Sequence, residues 1–289
     1  MPAADLHMHT TCSDGRLPPA ALVQKAAEYG LDVLAVTDHD TIDGVAEAQE
    51  AGRACGVQVV PGVELSVTVR HDRPSSAPPS GEEVPSGADG GAEGSEEIHL
   101  LGYAFDPGHE GLREHLARFK EVRRERAGRM AARLTELGHP LTLADVEAQA
   151  ASGGAALGRP HVAQALVAAG HAPSARAAFD RLIGDGKPAF VRKPRFDAAE
   201  ALALLHDAGG IGALAHPGEG TTGRTFRTLR EAGLDAVEVV HPSHDDRLTR
   251  YWRRRAASCE LQQTGGSDYH GQDEHLGRYT APDTGSIFD

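Results

Sequence analysis

The chain has 289 residues, 40% apolar and 25% charged, with a net charge of −13. Such a balance predicts a soluble chain with a real core, and its acidic surface argues against bulk binding to duplex DNA or an anionic membrane. The cysteines Cys12, Cys55 and Cys259 show no paired spacing, which argues against a disulfide framework or zinc knuckle and fits a reduced cytoplasm.

The first predicted element is a strand over 3–8, placed so early that it leaves no room for a signal peptide. No apolar run approaches membrane-span length. Residues two apart on a strand point the same way, so His7 and His9 project side by side. Asp14, in a Ser-Asp-Gly turn, can return a carboxylate to the same place. Imidazole with carboxylate suits zinc, manganese or iron. Cys12 lies in this loop and is read as a small buried thiol rather than a ligand.

Pro18-Pro19 opens a helix that Gly30 stops. A β-branched strand over 33–37 ends in Asp38-His39-Asp40. A helix over 43–54 and a strand over 57–60 follow, leading through Pro61-Gly62-Val63 to Glu64 and on through 65–69. This alternation, with near-continuous apolar strands, implies a parallel sheet. Residues 71–96 are dominated by Pro, Ser, Gly, Ala and Glu. They cannot bury enough surface to offset their ordering entropy, which predicts a disordered hairpin tip before a strand carrying His99.

From 110 to 190 the rhythm stops, and helices are predicted over 112–137, 143–151, 160–169 and 175–183. They form an all-helical lobe, 109–192, inserted into a barrel made of 1–108 and 193–289. Arg123, Arg126 and Arg133 fall near one face of the first helix by three-and-four spacing. They suit either a solvated face paired with glutamates or a phosphate clamp. Gly158-Arg159-Pro160-His161 places an arginine and a histidine at a helix start, where backbone N–H groups favour anions.

After Lys193 the alternation returns. Helices over 197–208, 224–232 and 245–257 precede strands ending in His216-Pro217, in His241, and in Gly265-Gly266-Ser267-Asp268-Tyr269-His270. The count is about seven strands, most ending in or carrying a metal-binding group. A closed parallel barrel gathers strand C-termini on one face. An open doubly wound sheet would spread them along a line.

His7-Met8-His9, Asp14-Gly15, Thr37-Asp38-His39-Asp40, Gly62-Val63-Glu64, His99, Ala215-His216-Pro217 and Gly266-Ser267-Asp268-Tyr269-His270 occur in that order. Together they resemble the polymerase and histidinol phosphatase (PHP) superfamily. The helical insertion resembles the branch with 3′,5′-nucleoside bisphosphate phosphatases, AMP phosphoesterases and 5′-to-3′ exoribonucleases. The resemblance implies an α/β fold, a distorted seven-stranded TIM-like (β/α)7 barrel. It also implies two to three divalent metals, Mn²⁺ first, with Zn²⁺, Fe²⁺ or Mg²⁺ as alternatives.

By position, His7, His9, Glu64 and Asp268 resemble the ligands of a first metal. Glu64 would bridge to a second held by His99 and His216, and Asp14, His39 and His270 would hold a third. Glu64, His99, Asp268 and His161 are then the expected catalytic residues, with Arg123, Arg126, Arg159 and His161 on the substrate phosphate. His241 and His244 have no assigned role. The implied substrate is a small nucleotide or the 5′ end of a short RNA, hydrolysed by metal-activated water with no obligatory protein partner. The alternatives are a histidinol-phosphate phosphatase, a deaminase of the amidohydrolase type, and a non-catalytic PHP domain.

Overall fold

A computed structural model describes residues 2–70, 95–150, 155–193, 195–271 and 275–282. Among these residues seven strands form one sheet in chain order. They are β1 Ala4–Met8, β2 Val33–Val36, β3 Gln58–Arg70, β4 Ser95–Tyr103, β5 Ile211–Leu214, β6 Ala236–Val240 and β7 Gln262–Gly265. β1, β2 and β3 pair in parallel, as do β5, β6 and β7. β4 runs against both β3 and β5, so the expectation of an all-parallel barrel is corrected. β3 is long, at 13 residues, and pairs with β4 along nine register positions from Gly62↔Tyr103 to Arg70↔Ser95. Antiparallel pairing needs no helical crossover. Ser95 and Glu96 belong to β4 rather than to a disordered tip, and residues 71–94 lie outside the described residues.

The sheet curls until its edges meet. Met8 bridges Tyr269 in parallel, the His9 N–H donates to the Tyr269 carbonyl at 3.0 Å, and the Ser267 N–H donates to Asp5 Oδ1 at 2.9 Å. A Cβ at Gly266 would sit 2.3 Å from His7 Cβ, so only glycine lets the end of β7 lie this close to β1. Tyr103 on β4 donates to the Leu6 carbonyl on β1 at 2.8 Å. These strands are not neighbours, so the bond crosses the barrel. Ala4, Leu6, Val33, Ala35, Val60, Leu101, Ala213 and Ala236 pack around it.

The outer layer is helical. α1 Pro19–Glu28 and α2 Val45–Cys55 cover β1 and β2 through Leu22, Val23, Ala26 and Ala48. α3 Glu110–Glu136, α4 Leu143–Glu147, α5 Arg159–Ala168 and α6 Ala175–Ala178 follow one another. The helix expected over 143–151 is shorter, stopping at Glu147 with Ala148 as its C-cap, and residue 151 lies outside the described residues. The helix expected over 175–183 changes pitch instead of continuing. After α6, Phe179–Ile183 form a π-helical turn, closed by the Gly184 N–H on the Phe179 carbonyl at 2.9 Å. The second half of α3 shares a core with these elements, built on Met130, Leu134, Val146, Leu166 and Ile183. The first half of α3 instead joins α7 Ala198–Asp207, α8 Gly223–Glu231 and α9 Asp246–Ser258 on the β3–β6 face, through Leu116, Phe119, Leu205, Phe226 and Trp252. α3 therefore bridges two cores. Asp197, Thr222 and Asp245 cap the last three helices with side-chain acceptors, which explains their starts. No helix among the described residues is long and apolar enough to cross a membrane.

Candidate metal centre

The loop after β1 is folded by Asp38. Its buried carboxylate accepts from the Thr10 N–H at 2.8 Å, the Thr10 hydroxyl at 2.6 Å and the Ser13 hydroxyl at 2.6 Å. This brings Asp14 back over His9. A Cβ at Gly15 would meet the His9 carbonyl oxygen at 2.3 Å, so the turn requires glycine.

Glu64, on β3, is 1% exposed and lies at the middle of the site. Its Oε2 is 3.3 Å from His7 Nε2, 3.2 Å from His9 Nε2 and 3.0 Å from His39 Nδ1. Its Oε1 is 2.7 Å from His99 Nδ1 and 3.0 Å from His216 Nε2. The register explains His99. Glu64 faces Leu101 across the β3–β4 pair, and a residue two further along the partner strand is its diagonal neighbour. Asp268 Oδ1 lies 3.4 Å from His7 Nε2 and 3.2 Å from His9 Nε2. Asp14 Oδ1 is 3.2 Å from His270 Nε2, and Asp14 Oδ2 is 3.9 Å from His39 Nε2. The His9 and His270 rings stack with centroids 4.1 Å apart.

All nine sequence-predicted metal positions thus converge, but the partition is less clean than expected. His9 stands with Asp14, His39 and His270 as well as with His7 and Glu64, and His39 stands with Glu64 and His99 as well as with Asp14. Cys12 is in none of these groups, and burial and Asp38 push its thiol up to about 11.

The donor set fits divalent cations. His7 Nε2, both ring nitrogens of His9, Asp14 Oδ1, His39 Nδ1 and Glu64 Oε2 are buried without a hydrogen-bond partner. Buried polar atoms are normally satisfied, and atoms that face one another without bonding are arranged as donors to a shared cation would be. The charges are tightly coupled. Burial opposes ionising Glu64, but His39, His99 and His7 hold it well below the usual carboxylate range. Burial likewise opposes protonating His9, but Asp268 and Glu64 raise it to about 10. Burial prevails at His39 and takes it down to about 3. His216 and Asp268 have left-handed backbones, φ 29° and 50°. Such strain costs about 1–3 kcal/mol per residue and clusters where a site demands it.

The arginines separate into different roles. Arg123 Nε donates to Asp40 Oδ2 at 2.6 Å, Nη1 to the Leu157 carbonyl at 3.2 Å and Nη2 to Ser66 Oγ at 3.2 Å, so each nitrogen of this guanidinium is held by the protein. Arg126 is buried, donates from Nε to the Val191 carbonyl at 2.6 Å and lies over Phe190. It borders a narrow gap, with no room for a water, shared with Arg123, Leu157, Gly158 and Arg159. Burial, Arg159 and Arg123 push it down to about 10. Arg159 packs over Phe179 and Phe190 and pairs with Asp185 at 2.9 Å. His161 accepts from the Gly158 N–H at 3.0 Å. Burial lowers it, while Asp14 and a hydrogen bond to the Ser13 backbone raise it, so it ties the start of α5 to the Asp14 loop.

Sequence reasoning missed Lys193 and Glu238. Lys193 Nζ donates to Ser66 Oγ at 2.8 Å, and burial with Arg123 pushes it down to about 8. Its place in an Arg-Lys-Pro-Arg run carried no signal. Glu238 did carry one, as the lone acid in the apolar run of β6.

The model of the PHP domain matches residues 5–147. A 5′-3′ exoribonuclease of Haemophilus influenzae is 33% identical over 271 residues, 92% of this chain and 89% of that protein. A 3′,5′-nucleoside bisphosphate phosphatase of Chromobacterium violaceum is 30% identical over 275 residues, 93% of this chain and 88% of that one. A solved structure from Bifidobacterium adolescentis, described as a metal-dependent phosphoesterase, superposes with a TM-score of 0.81 at 29% identity, covering 98% of this chain and 94% of the other. With the convergent histidines and carboxylates at the rim of a nearly closed seven-stranded barrel, these matches make the chain a member of the PHP family.

Proposed function

We propose that the chain hydrolyses phosphate esters of nucleotides, a 3′,5′-nucleoside bisphosphate or the 5′ end of a short RNA, using two to three divalent cations with Mn²⁺ preferred. The observation that carries the reading is Glu64, whose two oxygens face two different histidine sets. His7, His9, Glu64 and Asp268 would hold one cation, Glu64, His99 and His216 a second, and Asp14, His39 and His270 a third. Bound there, divalent cations lower the pKa of water and neutralise charge on phosphoryl oxygens. The 5′-3′ exoribonuclease and nucleoside bisphosphate phosphatase activities of the relatives support the substrate class.

The chain's own residues supply position and charge. Glu64, buried and held ionised, keeps the two histidine sets in register. Arg126 and Arg159, which border one narrow gap, would hold a substrate phosphate at its mouth, with Lys193 against Ser66. His161, beside the Asp14 loop, would hand a proton to the leaving oxygen in exchange for its hydrogen bond to the Ser13 backbone. Arg123 is left to hold Asp40 and the Leu157 carbonyl in place rather than to grip substrate.

Exhaustive chelation should abolish phosphate release, and Mn²⁺ should restore it. Elemental analysis of protein purified without chelator should find two to three ions per chain. Metal-free protein that still turned over would overturn the reading. A Mn²⁺ panel of 3′-phospho-AMP, AMP, histidinol phosphate and a 5′-phosphorylated oligonucleotide tests the substrate class, and preference for histidinol phosphate would reject it.

Arg126→Ala should lower kcat/KM towards 3′,5′-bisphosphates by ~10²-fold, the cost of losing a preorganised charged donor, and towards p-nitrophenyl phosphate far less. Arg159→Ala should show the same selectivity with a smaller loss, because Arg159 already shares its charge with Asp185 at the surface. Equal, small losses on all substrates would remove the clamp.

A further inference from the structure

We propose that Glu238 is a positioning residue for the metal centre: its two oxygens fix the tautomer of His7 and the backbone of His216, so that both present lone pairs to the cations. The inference rests on the metal-dependent reading above and adds to it an outer layer supplied by β6.

The geometry is specific. Glu238 and His7 are both fully buried, and Glu238 Oε1 is 3.0 Å from His7 Nδ1. A carboxylate there accepts a hydrogen from Nδ1. The lone pair of His7 is then on Nε2, the atom that faces Glu64 and Asp268. The other oxygen, Oε2, accepts from the His216 N–H at 2.6 Å. His216 is the residue whose backbone is held left-handed at φ 29°, and this bond helps hold it there. One side chain therefore sets the histidine at the end of β1 and the histidine after β5, which belong to different ligand sets.

β6 repeats the device at His241. Its Nδ1 accepts from the Ser243 N–H at 3.1 Å, so the neutral ring carries its hydrogen on Nε2, and Nε2 lies 3.3 Å from Asp268 Oδ2. His7, Glu238 and His241 also have donor atoms close enough together to hold a cation of their own. The hydrogens decide against that. His7 Nδ1 and His241 Nε2 both carry one, and both oxygens of Glu238 already accept. A cation in that place would have to displace these hydrogens, whereas an outer layer uses them as they stand. Carboxylates behind metal-bound histidines have this role widely, and their loss typically costs 10–100-fold in metal affinity.

The test is a competition titration of Mn²⁺ against a chelator in wild type, Glu238→Gln and Glu238→Ala. Calorimetric melting of the metal-free proteins serves as the fold control. Glutamine keeps one acceptor and turns a donor towards the other N–H, so E238Q should weaken the affected ions about tenfold. E238A, which keeps neither acceptor, should weaken them about 100-fold; its metal-free form should melt cooperatively but earlier, as loss of one member of a buried pair requires, and E238Q should melt closer to wild type. Unchanged affinities would overturn the proposal, as would selective loss of one extra ion with the others untouched. If both variants unfold, histidine ¹⁵N spectra of the Zn²⁺-loaded wild type decide instead: His7 must be protonated at Nδ1, and any other tautomer rejects the role. A wild type that bound no cation at all would defeat the functional reading itself, which is a different outcome.

Discussion

Glu64→Gln, assayed with saturating Mn²⁺, is expected to lose at least ~10³-fold in phosphate release, more than removal of a single preorganised donor costs. The substitution keeps the shape of the side chain and removes its charge. The carboxylate touches five histidines, three through Oε2 and two through Oε1, so this one change acts on two ligand sets at once. Elemental analysis should find at least one ion fewer per chain. A variant that kept a full complement of metal and more than a tenth of the activity would rule out a bridging role. Substituting His270, which lies against Asp14 and Asp268, should cost less.

Arg123→Ala is expected to cost ~3–5 kcal/mol of stability, the usual result of leaving one member of a buried pair without its partner. Arg123 and Asp40 are 5% and 1% exposed. Burial disfavours the charge on Asp40, but Arg123 and Lys193 hold the carboxyl below its ordinary value. Because the folded-state pKa is depressed, the pair's contribution is present above the ordinary carboxylate pKa. It is lost as pH falls through the folded value. The deficit of the variant, read from denaturant titrations, should therefore be largest near neutral pH and shrink in acid. A deficit under ~1 kcal/mol would mean that the pair behaves as an exposed one. Arg123→Lys should recover part of the loss, since an ammonium can meet Asp40 but lacks the fork that also reaches Leu157 and Ser66.

What was legible in the sequence, and what was not, follows from the range of the contacts involved. His7 and His9 declare themselves through two-residue spacing at a strand end, and Glu64, His216 and Asp268 through their positions after apolar runs. Those are local patterns. The role of Arg123 is not local: its partner Asp40 is 83 positions away, and helical spacing gave Arg123 and Arg126 the same reading. The antiparallel course of β4 was hidden because His99 looked like one more strand histidine. The direction of a strand is set by its connection, and here residues 71–94 carry no pattern. Lys193 owes its place to the segment that runs beside β3, where the Thr68 N–H donates to the Phe196 carbonyl at 2.7 Å. No periodicity records such a contact.

The meeting of β7 with β1 also determines when the centre can come into being. Asp5 and Ser267 bond across 262 positions, and Asp268 and His270 lie just beyond. Chains leave the ribosome N-terminus first, so His7, His9 and Glu64 are all synthesised long before the carboxylate and histidine that complete their surroundings. Until β7 arrives, β1 and β6 are open sheet edges, the kind of surface that pairs with other chains. The last strand is thus a fastener for the whole molecule. A nascent or truncated chain lacking it would have an unclosed barrel and an incomplete cation site together.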